Sequence, residues 1–478
     1  MQEKIVEVKT CKHCNSSFEI TDKDLEFYEK VSPSFWWKKY LIPSPTLCPD
    51  CRQQRRLSFR NERKLYKRNC DASWKPIISI YSPNKPFKVY EQSFWWSDKW
   101  NPLDYGKDFD FSKSFFEQFE ELIKEVPRLS LYTNGCENSY FTNQIYECKN
   151  CYLIFSCQNC EDCIYWKRLI DSSNCLDCFL CVGSSNCYSS IDISWSNNCY
   201  FSEVLVDCNN LYYSYDCKWC NDCFLCSNLR NKKYCIENIE YSKEDYNILK
   251  EKLLSLWQQE LYKKFANLKN KSIHKHLNII WTENVIWDYV KNSKDCFYVS
   301  DGSDLDFVKF WQFVKDIKYC YDIDYCCCDS DTSYEISTWW VQMFNCLFSV
   351  DIWPNDQYVL YSDSCSSSNH LFGCVWLRNK SYCVLNKQYS REEYEILVPK
   401  IIEHMMKNWK WWEFFPASIS PFGYNETVAE EYFPLNKNEA LEKWFNWSTY
   451  EPPFPKVDKI IKASMLPDDI SKIPDDIL

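Results

Sequence analysis

The sequence predicts a mixed, β-dominated fold: a small metal-organised N-terminal module, then two narrow β-solenoid arrays of twelve-residue coils, each ending in an amphipathic helix. Three observations carry that expectation. Two Cys-x-x-Cys pairs stand near the N-terminus, and small or apolar residues, many of them cysteine, recur on a twelve-residue period through residues 136–241. The segment that closes this array returns 148 residues later, matching at 14 of 25 positions. Composition sets the frame: 478 residues, a net charge of −11 and 45% hydrophobic residues describe a folded chain, which excludes disordered and collagen-like classes. No apolar run is long enough to span a bilayer, and the start, MQEKIVEVKT, lacks a signal-peptide core. No membrane association is therefore expected. The expected compartment is the cytoplasm, where thiols stay reduced and clustered cysteines point to metal or packing before disulfides.

Residues 1–69 are expected to form a zinc ribbon with a basic segment. Cys11-Lys-His-Cys14 and Cys48-Pro-Asp-Cys51, separated by 33 residues, supply four thiolates for one structural Zn²⁺ with no position open to water. His13 reads as a filler within the first pair. Behind Cys51 runs RQQRRLSFRNERKLYKR, with eight Lys/Arg and one Glu, and residues 1–75 carry +6 against −17 for the remainder. Arg52, Arg55, Arg56, Arg60 and Arg63 are the candidate phosphate contacts of a nucleic-acid-binding strip. The competing reading is a solvated helix face, or a strip that docks onto the acidic body of the same chain.

Cys11, Cys14, Phe18, Phe27-Tyr28, Pro43, Pro45 and Cys48-Pro-Asp-Cys-Arg52 resemble the treble-clef zinc-ribbon domain that opens many uncharacterised bacterial proteins. Arg60-Asn-Glu-Arg63, Trp95-Trp96-Ser-Asp98-Lys-Trp100 and Ser420-Pro-Phe-Gly-Tyr-Asn-Glu426 extend the resemblance to a family of large cysteine-rich proteins of unknown function. The resemblance implies zinc and no activity. It also implies a second pair of knuckles, which residues 70–135 retain only as Cys70; Ser73, Glu91 and Phe94 occupy the other positions, so no second metal is expected. The same segment holds a helix over 112–126, capped by Ser114 and stopped by Pro127.

The first array, 136–241, carries Cys151, Cys163, Cys175, Cys187, Cys199, Leu211, Cys223 and Cys235 on the main register. Positions three before, three after and six after are also small or apolar, which gives four inward residues per coil. Asn or Asp usually precedes the main cysteine and Tyr, Phe, Leu or Ile follows it. The spacing resembles the twelve-residue-coil β-helix of insect antifreeze proteins, as a likeness of fold only. Cys217, Cys220, Cys223 and Cys226 lack the spacing of a bacterial iron–sulfur run, and neighbouring coils place Ser, Leu or Ile at the same register. Packed free thiols are the favoured reading, with metal ligation and cross-coil disulfides as the alternatives.

A helical connector is expected over 242–283 and a degenerate second solenoid over 284–389, with Asn284, Cys296, Val308 and Cys320 keeping the period. Ser242 with Asp245, and Ser390 with Glu393, mark the helix that follows each array. Residues 390–478 add that second helix, a Pro/aromatic-rich arm and an acidic tail. His274-x-His276 reads as a surface loop, and the alternating Asp322, Asp324, Asp329 and Asp331 as a solvated face and not a calcium site. No catalytic motif is present. The expected function is a non-enzymatic, zinc-binding scaffold for a protein or glycan partner. The alternatives are a nucleic-acid-associated protein acting through 52–68 and a thiol-based metal or redox buffer.

Six glycines against 22 tryptophans is the remaining anomaly. Trp166 falls at an inward position filled elsewhere by small residues, and Trp195 and Trp219 at a turn register otherwise held by Glu147, Asn159, Asp171, Gly183, Asp207 and Asn231. Trp376 aligns with Asn228, and Trp37, Trp74, Trp412 and Trp444 stand where the resembling family carries glycine. The expectation is a lineage that reads UGA as glycine.

Overall fold

The computed structural model describes residues 3–35, 37–322, 324–334, 343–347, 357–408, 410–412 and 414–453, with residues 461, 462, 465, 466 and 472 beyond them. The stretches 335–342 and 348–356 of the expected second array lie outside this description, as do the side chains of Trp166, Asp324, Cys326, Cys327, Cys328, Asp329 and Asp331.

The N-terminal strands Ile5–Thr10 and Ser17–Thr21 pair antiparallel around the first Cys-x-x-Cys turn. Helix α1 (Asp22–Val31) follows directly, because Thr21 and Asp24 form a reciprocal capping box. Helix α2 (Pro49–Leu57) starts at Cys48, with Pro49 at its first position, where a missing N–H costs nothing. A second hairpin, Tyr66–Asn69 with Pro76–Ser79, leads to the short α3 (Gln92–Trp95) and then to α4 (Phe115–Glu125). Ser114 caps α4 as expected, and Phe115, Phe119 and Leu122 are buried along one face.

Beyond α4 the chain is strand-rich and its sheets are parallel. Successive strands pair with partners twelve residues on, as in Asn143 with Phe155 and Phe179 with Ile191. From Ile191 onward the strands alternate between two sheets. Ile191–Ser194, Glu203–Val206 and Tyr215–Lys218 belong to one, and Asn197–Tyr200, Asn209–Tyr212 and Asn221–Phe224 to the other. Their inward residues form one buried cluster of cysteine, isoleucine and leucine, with Cys157, Cys163, Cys181, Cys217 and Cys223 among its members.

The backbone explains the sequence pattern around those cysteines. From Gly135 to Glu237 every third residue is left-handed, with φ between +46° and +66°. From Phe141 to Leu225 the described residue after each such corner is buried. Asn and Asp adopt this conformation more readily than other L-residues, which accounts for Asn186 before Cys187 and Asn198 before Cys199. Their side chains also bond from strand to strand: Asn186 donates to Asn198 at 3.3 Å, Asn198 to Asn210 at 3.0 Å and Asn210 to Asp222 at 3.0 Å.

Both arrays close alike. The antiparallel hairpins Lys233–Ile236 with Ile239–Glu240, and Ser381–Val384 with Lys387–Gln388, are fastened by Asn238 and Asn386, which accept from Ser227 and Val375 N–H. Helix α5 (Lys243–Leu254) with α6 (Gln258–Lys271) follows the first array and α7 (Arg391–Lys407) the second, starting at Ser242 and Ser390 as the capping signals predict. The second array departs from the expected register at its start. Asn284 is an exposed corner and not an inward residue; Val285 turns inward and pairs with Cys296, eleven residues on. A further slip comes after Lys315, where Ile317 pairs with Ser330, thirteen residues on. These shifts of one residue are why the period blurs in the sequence.

Met1–Ser448 forms one compact unit, so the N-terminal cysteine cluster, the parallel sheets and the helices of those residues share a single body. Thr449–Leu478 is a separate unit.

Candidate metal centre

Two local structures bring the four thiols together. The hairpin turn closes through Cys11 N–H to Ser16 O at 2.8 Å and Asn15 N–H to Cys11 O at 3.0 Å, with Asn15 at φ +60°. That turn presents Cys11 and Cys14 side by side. The start of α2 presents Cys48 at the cap and Cys51 one turn in. Ligand atoms of all four lie within 4.8 Å of one another, and Cys14 Sγ is 3.6 Å from Cys48 Sγ. Four thiolates about 2.3 Å from a central ion stand about 3.8 Å apart, so the spacing fits a tetrahedral metal ion. Among the described residues this is the one such group.

The surroundings favour a closed site. Cys11, Cys48 and Cys51 are buried with Phe18, Ile20 and Leu47 packed around them, and only Cys14 is exposed. His13 N–H donates to Cys11 Sγ at 3.4 Å and the Ser16 hydroxyl lies 2.8 Å from Cys14 Sγ. Burial raises the Cys14 thiol, but the bonds from Ser16, Cys51 and Cys11 outweigh it and bring it to about 6. Burial, then the neighbouring thiols, pushes Cys51 up instead. The set thus holds a thiolate readily and releases its other protons on binding a cation. The His13 ring packs near Phe445 and points to no ligand role.

Residues 66–95 repeat this architecture with Cys70 alone of the four thiols. Cys70 N–H bonds to Lys75 O and Trp74 N–H to Cys70 O, both at 2.9 Å, with Trp74 at φ +59° in the place of Asn15. Cys70 Sγ accepts from Ser73 N–H at 3.4 Å and from Glu91 N–H at 3.3 Å, and Glu91 caps α3 as Cys48 caps α2.

The basic strip takes a course that corrects the phosphate-contact expectation. Arg52, Arg55, Arg56 and Arg60 are buried, between 0% and 8% exposed. Arg52 and Arg56, one helical turn apart, both reach Asp322 of the second array, at 2.9 and 3.3 Å. Arg55 lies over the Phe414 ring. Arg60 pairs with Glu62 at 2.6 Å and donates to Gln144 at 2.8 Å, and Glu62 also meets Lys167 at 2.9 Å. Arg63 alone of the five is largely exposed, and it pairs with Glu431. A guanidinium buried against a carboxylate has no face left for a phosphate. The strip docks onto the acidic body, and its central partner is Asp322, which the sequence offered only as part of a solvated face.

Among the described residues the array thiols are buried except for Cys136, which is partly buried. Most of them donate to the carbonyl two residues earlier, as Cys148 does to Tyr146 at 3.3 Å and Cys175 to Ser173 at 3.0 Å. His274 bonds to Tyr215 Oη and Lys269 O, not to His276. No helix among the described residues is long and apolar enough to cross a membrane. No family model matches the chain, and no match to it was found among the curated proteins.

Proposed function

We propose that the chain is a non-enzymatic scaffold in which a zinc ribbon anchors two narrow β-solenoids, one face of the first being a docking surface for a helical protein partner. The twelve-residue register, the corner at every third residue and the cluster of inward thiols support the solenoid path. Zinc is the ion suited to four thiolates in a closed tetrahedron, and its work here is to fix the start of α2 and thereby aim Arg52 and Arg56 at Asp322.

One observation carries the docking surface. The columns that follow the main cysteines are covered by helices in their later coils: Phe201, Tyr213, Phe224 and Leu225 pack against Tyr246, Leu261 and Phe265 of α5 and α6. In the second array Tyr361 and Phe372 pack against Phe115 of α4. The same columns in the first coils of the first array stay open, with Tyr140 at 66%, Tyr152 at 39%, Tyr165 at 52% and Leu176 at 38% exposure. A strip of Tyr, Ile and Leu continuous with a helix-covered surface fits an amphipathic helix better than a phosphate or a sugar.

Site-specific photo-crosslinking in cells, with the crosslinker at position 152 and a control at the exposed Glu161, tests the reading. The expected result is one discrete protein adduct from position 152, lost when Tyr140 and Tyr165 become Asp. Equal labelling from both positions defeats it. Metal analysis of the purified chain is expected to return one tightly held zinc, lost in Cys48→Ser; several soft metal ions per chain would instead support the thiol-buffer alternative.

A further inference from the structure

Outside the two arrays, residues 132–241 and 279–389, the described non-glycine residues with positive φ are Asn15, Trp74, Trp412 and Trp444. Asn15 belongs to the residue type that tolerates this conformation; tryptophan does not, since its Cβ crowds the neighbouring carbonyl. The chain has 34 tyrosines and 30 phenylalanines against 22 tryptophans, yet no Tyr or Phe joins that short series. The bias therefore belongs to tryptophan and not to aromatic bulk. Solvent adds a second signal: Trp74 is 76% and Trp444 79% exposed, so no packing holds either indole in place.

The arrays repeat the pattern at one register. Glu147, Asn159, Asp171, Gly183, Trp195, Asp207, Trp219 and Asn231 stand twelve residues apart, all left-handed, and Trp195 and Trp219 are both half-exposed. Bulky residues do occur at other left-handed corners, such as Tyr165 and Leu180, but this column otherwise holds only polar residues and a glycine. Trp281, at φ +51° and 85% exposed, opens the second array in the same way. Trp287, at φ +141° and 48% exposed, is a further positive-φ tryptophan outside that column, and three others contrast with all of these. Trp95 is buried and donates to Pro127 O, Trp100 donates to Trp95 O, and Trp411 is buried; none has positive φ. Trp376 shares the left-handed φ but is buried against Tyr132 and Trp95, so it is left out of the assignment.

We propose that the chain made in its own cell carries glycine at positions 74, 195, 219, 281, 412 and 444, the tryptophans there being UGA codons that this lineage reads as glycine. Glycine adopts positive φ without a steric penalty, so each of these turns becomes unstrained while its hydrogen bonds are kept. In the hairpin of Cys70, Trp74 N–H to Cys70 O is a backbone bond that glycine makes equally well.

The gene and the peptide masses of the chain from its source cell test this together. UGA at all six codons, UGG at 95, 100 and 411, and a glycine mass in the peptides that contain positions 195 and 219 are the expected results. UGG at codons 74, 195, 219 and 444 overturns the proposal. So does UGA combined with a tryptophan mass, which would mean that the lineage reads the codon as tryptophan.

Discussion

Inside the sheets a thiol and a hydroxyl serve the same purpose. Cys160 Sγ donates to Gln158 O at 3.1 Å, Ser184 Oγ to Val182 O at 3.0 Å and Ser202 Oγ to Tyr200 O at 2.9 Å. Each of those carbonyls already accepts one ladder bond, Gln158 O from Asp171 N–H at 3.0 Å, Val182 O from Trp195 N–H at 2.8 Å and Tyr200 O from Tyr213 N–H at 3.0 Å, and a short side chain with one X–H fills the second lone pair. The alternation of Cys with Ser along a column, which argues in the sequence against cluster ligation, thus has a hydrogen-bonding cause. Cys160→Ser is expected to keep the unfolding free energy within about 0.5 kcal/mol, whereas Cys160→Ala, which removes the thiol donor while the Gln158 carbonyl keeps its bond from Asp171 N–H, costs about 0.5–1.5 kcal/mol. Denaturant titration of the two variants side by side checks this. A Ser variant as unstable as the Ala variant would show that sulfur volume, and not the donor, is what the interior requires.

At the scale of elements, the hairpin and helix start that hold Cys11, Cys14, Cys48 and Cys51 were legible because metal ligation demands fixed spacings, and capping demands Ser or Thr at fixed offsets. The twelve-residue period was legible in the first array for the same kind of reason: inward positions admit few residue types. The one-residue slips at Val285 and Ile317 were not, since a bulge leaves composition unchanged while it moves every later residue to a new face. The hairpin around Cys70 shows how far the backbone outlasts its ligands. Its turn bonds match those around Cys11, and Glu91 and Phe94 stand at the cap of α3 and three residues on, as Cys48 and Cys51 do on α2. Restoring thiols by Ser73→Cys, Glu91→Cys and Phe94→Cys beside Cys70 is expected to raise bound zinc from one to two per chain, read by metal analysis after exhaustive dialysis. Zinc content unchanged from the parent would mean that the two hairpins agree in hydrogen bonding but not in the aim of their side chains.

At the scale of the whole molecule, buried charge joins segments far apart in sequence. Sequence alone could count the basic residues of 52–68 but not see their partners, because Asp322, Gln144 and Glu431 reach them only through tertiary contact. Two carboxylates give that architecture opposite pH responses. Glu62 is fully buried; burial raises its carboxyl, but Arg60, Lys167 and Arg168 outweigh this and hold it at about 2. Its folded value lies below the unfolded one near 4.5, so its stabilisation is present above pH ~4.5 and is lost as pH falls towards 2. Removing one partner of such a buried group costs about 3–5 kcal/mol, which is the loss expected for Glu62→Gln at neutral pH. Asp301 lies where the first coils of the second array meet Arg168 and Asp192 of the first. Burial first, then Asp192 and Asp288, raise its carboxyl against the opposing Arg168 and Lys291, and together they bring it to about 6. Here the folded value exceeds the unfolded one near 3.8, so the sign reverses: the contribution is most favourable below pH ~3.8 and is lost as pH rises through about 6. Asp301→Asn is therefore expected to stabilise the chain at pH 7.5 by on the order of 1–2 kcal/mol, after allowing for water at its partly exposed edge, and to change little at pH 4. Thermal unfolding of the parent and this variant at both pH values decides it. A variant that is less stable at pH 7.5 would show that the ionised carboxylate is held by Arg168 and Lys291 more strongly than burial opposes it.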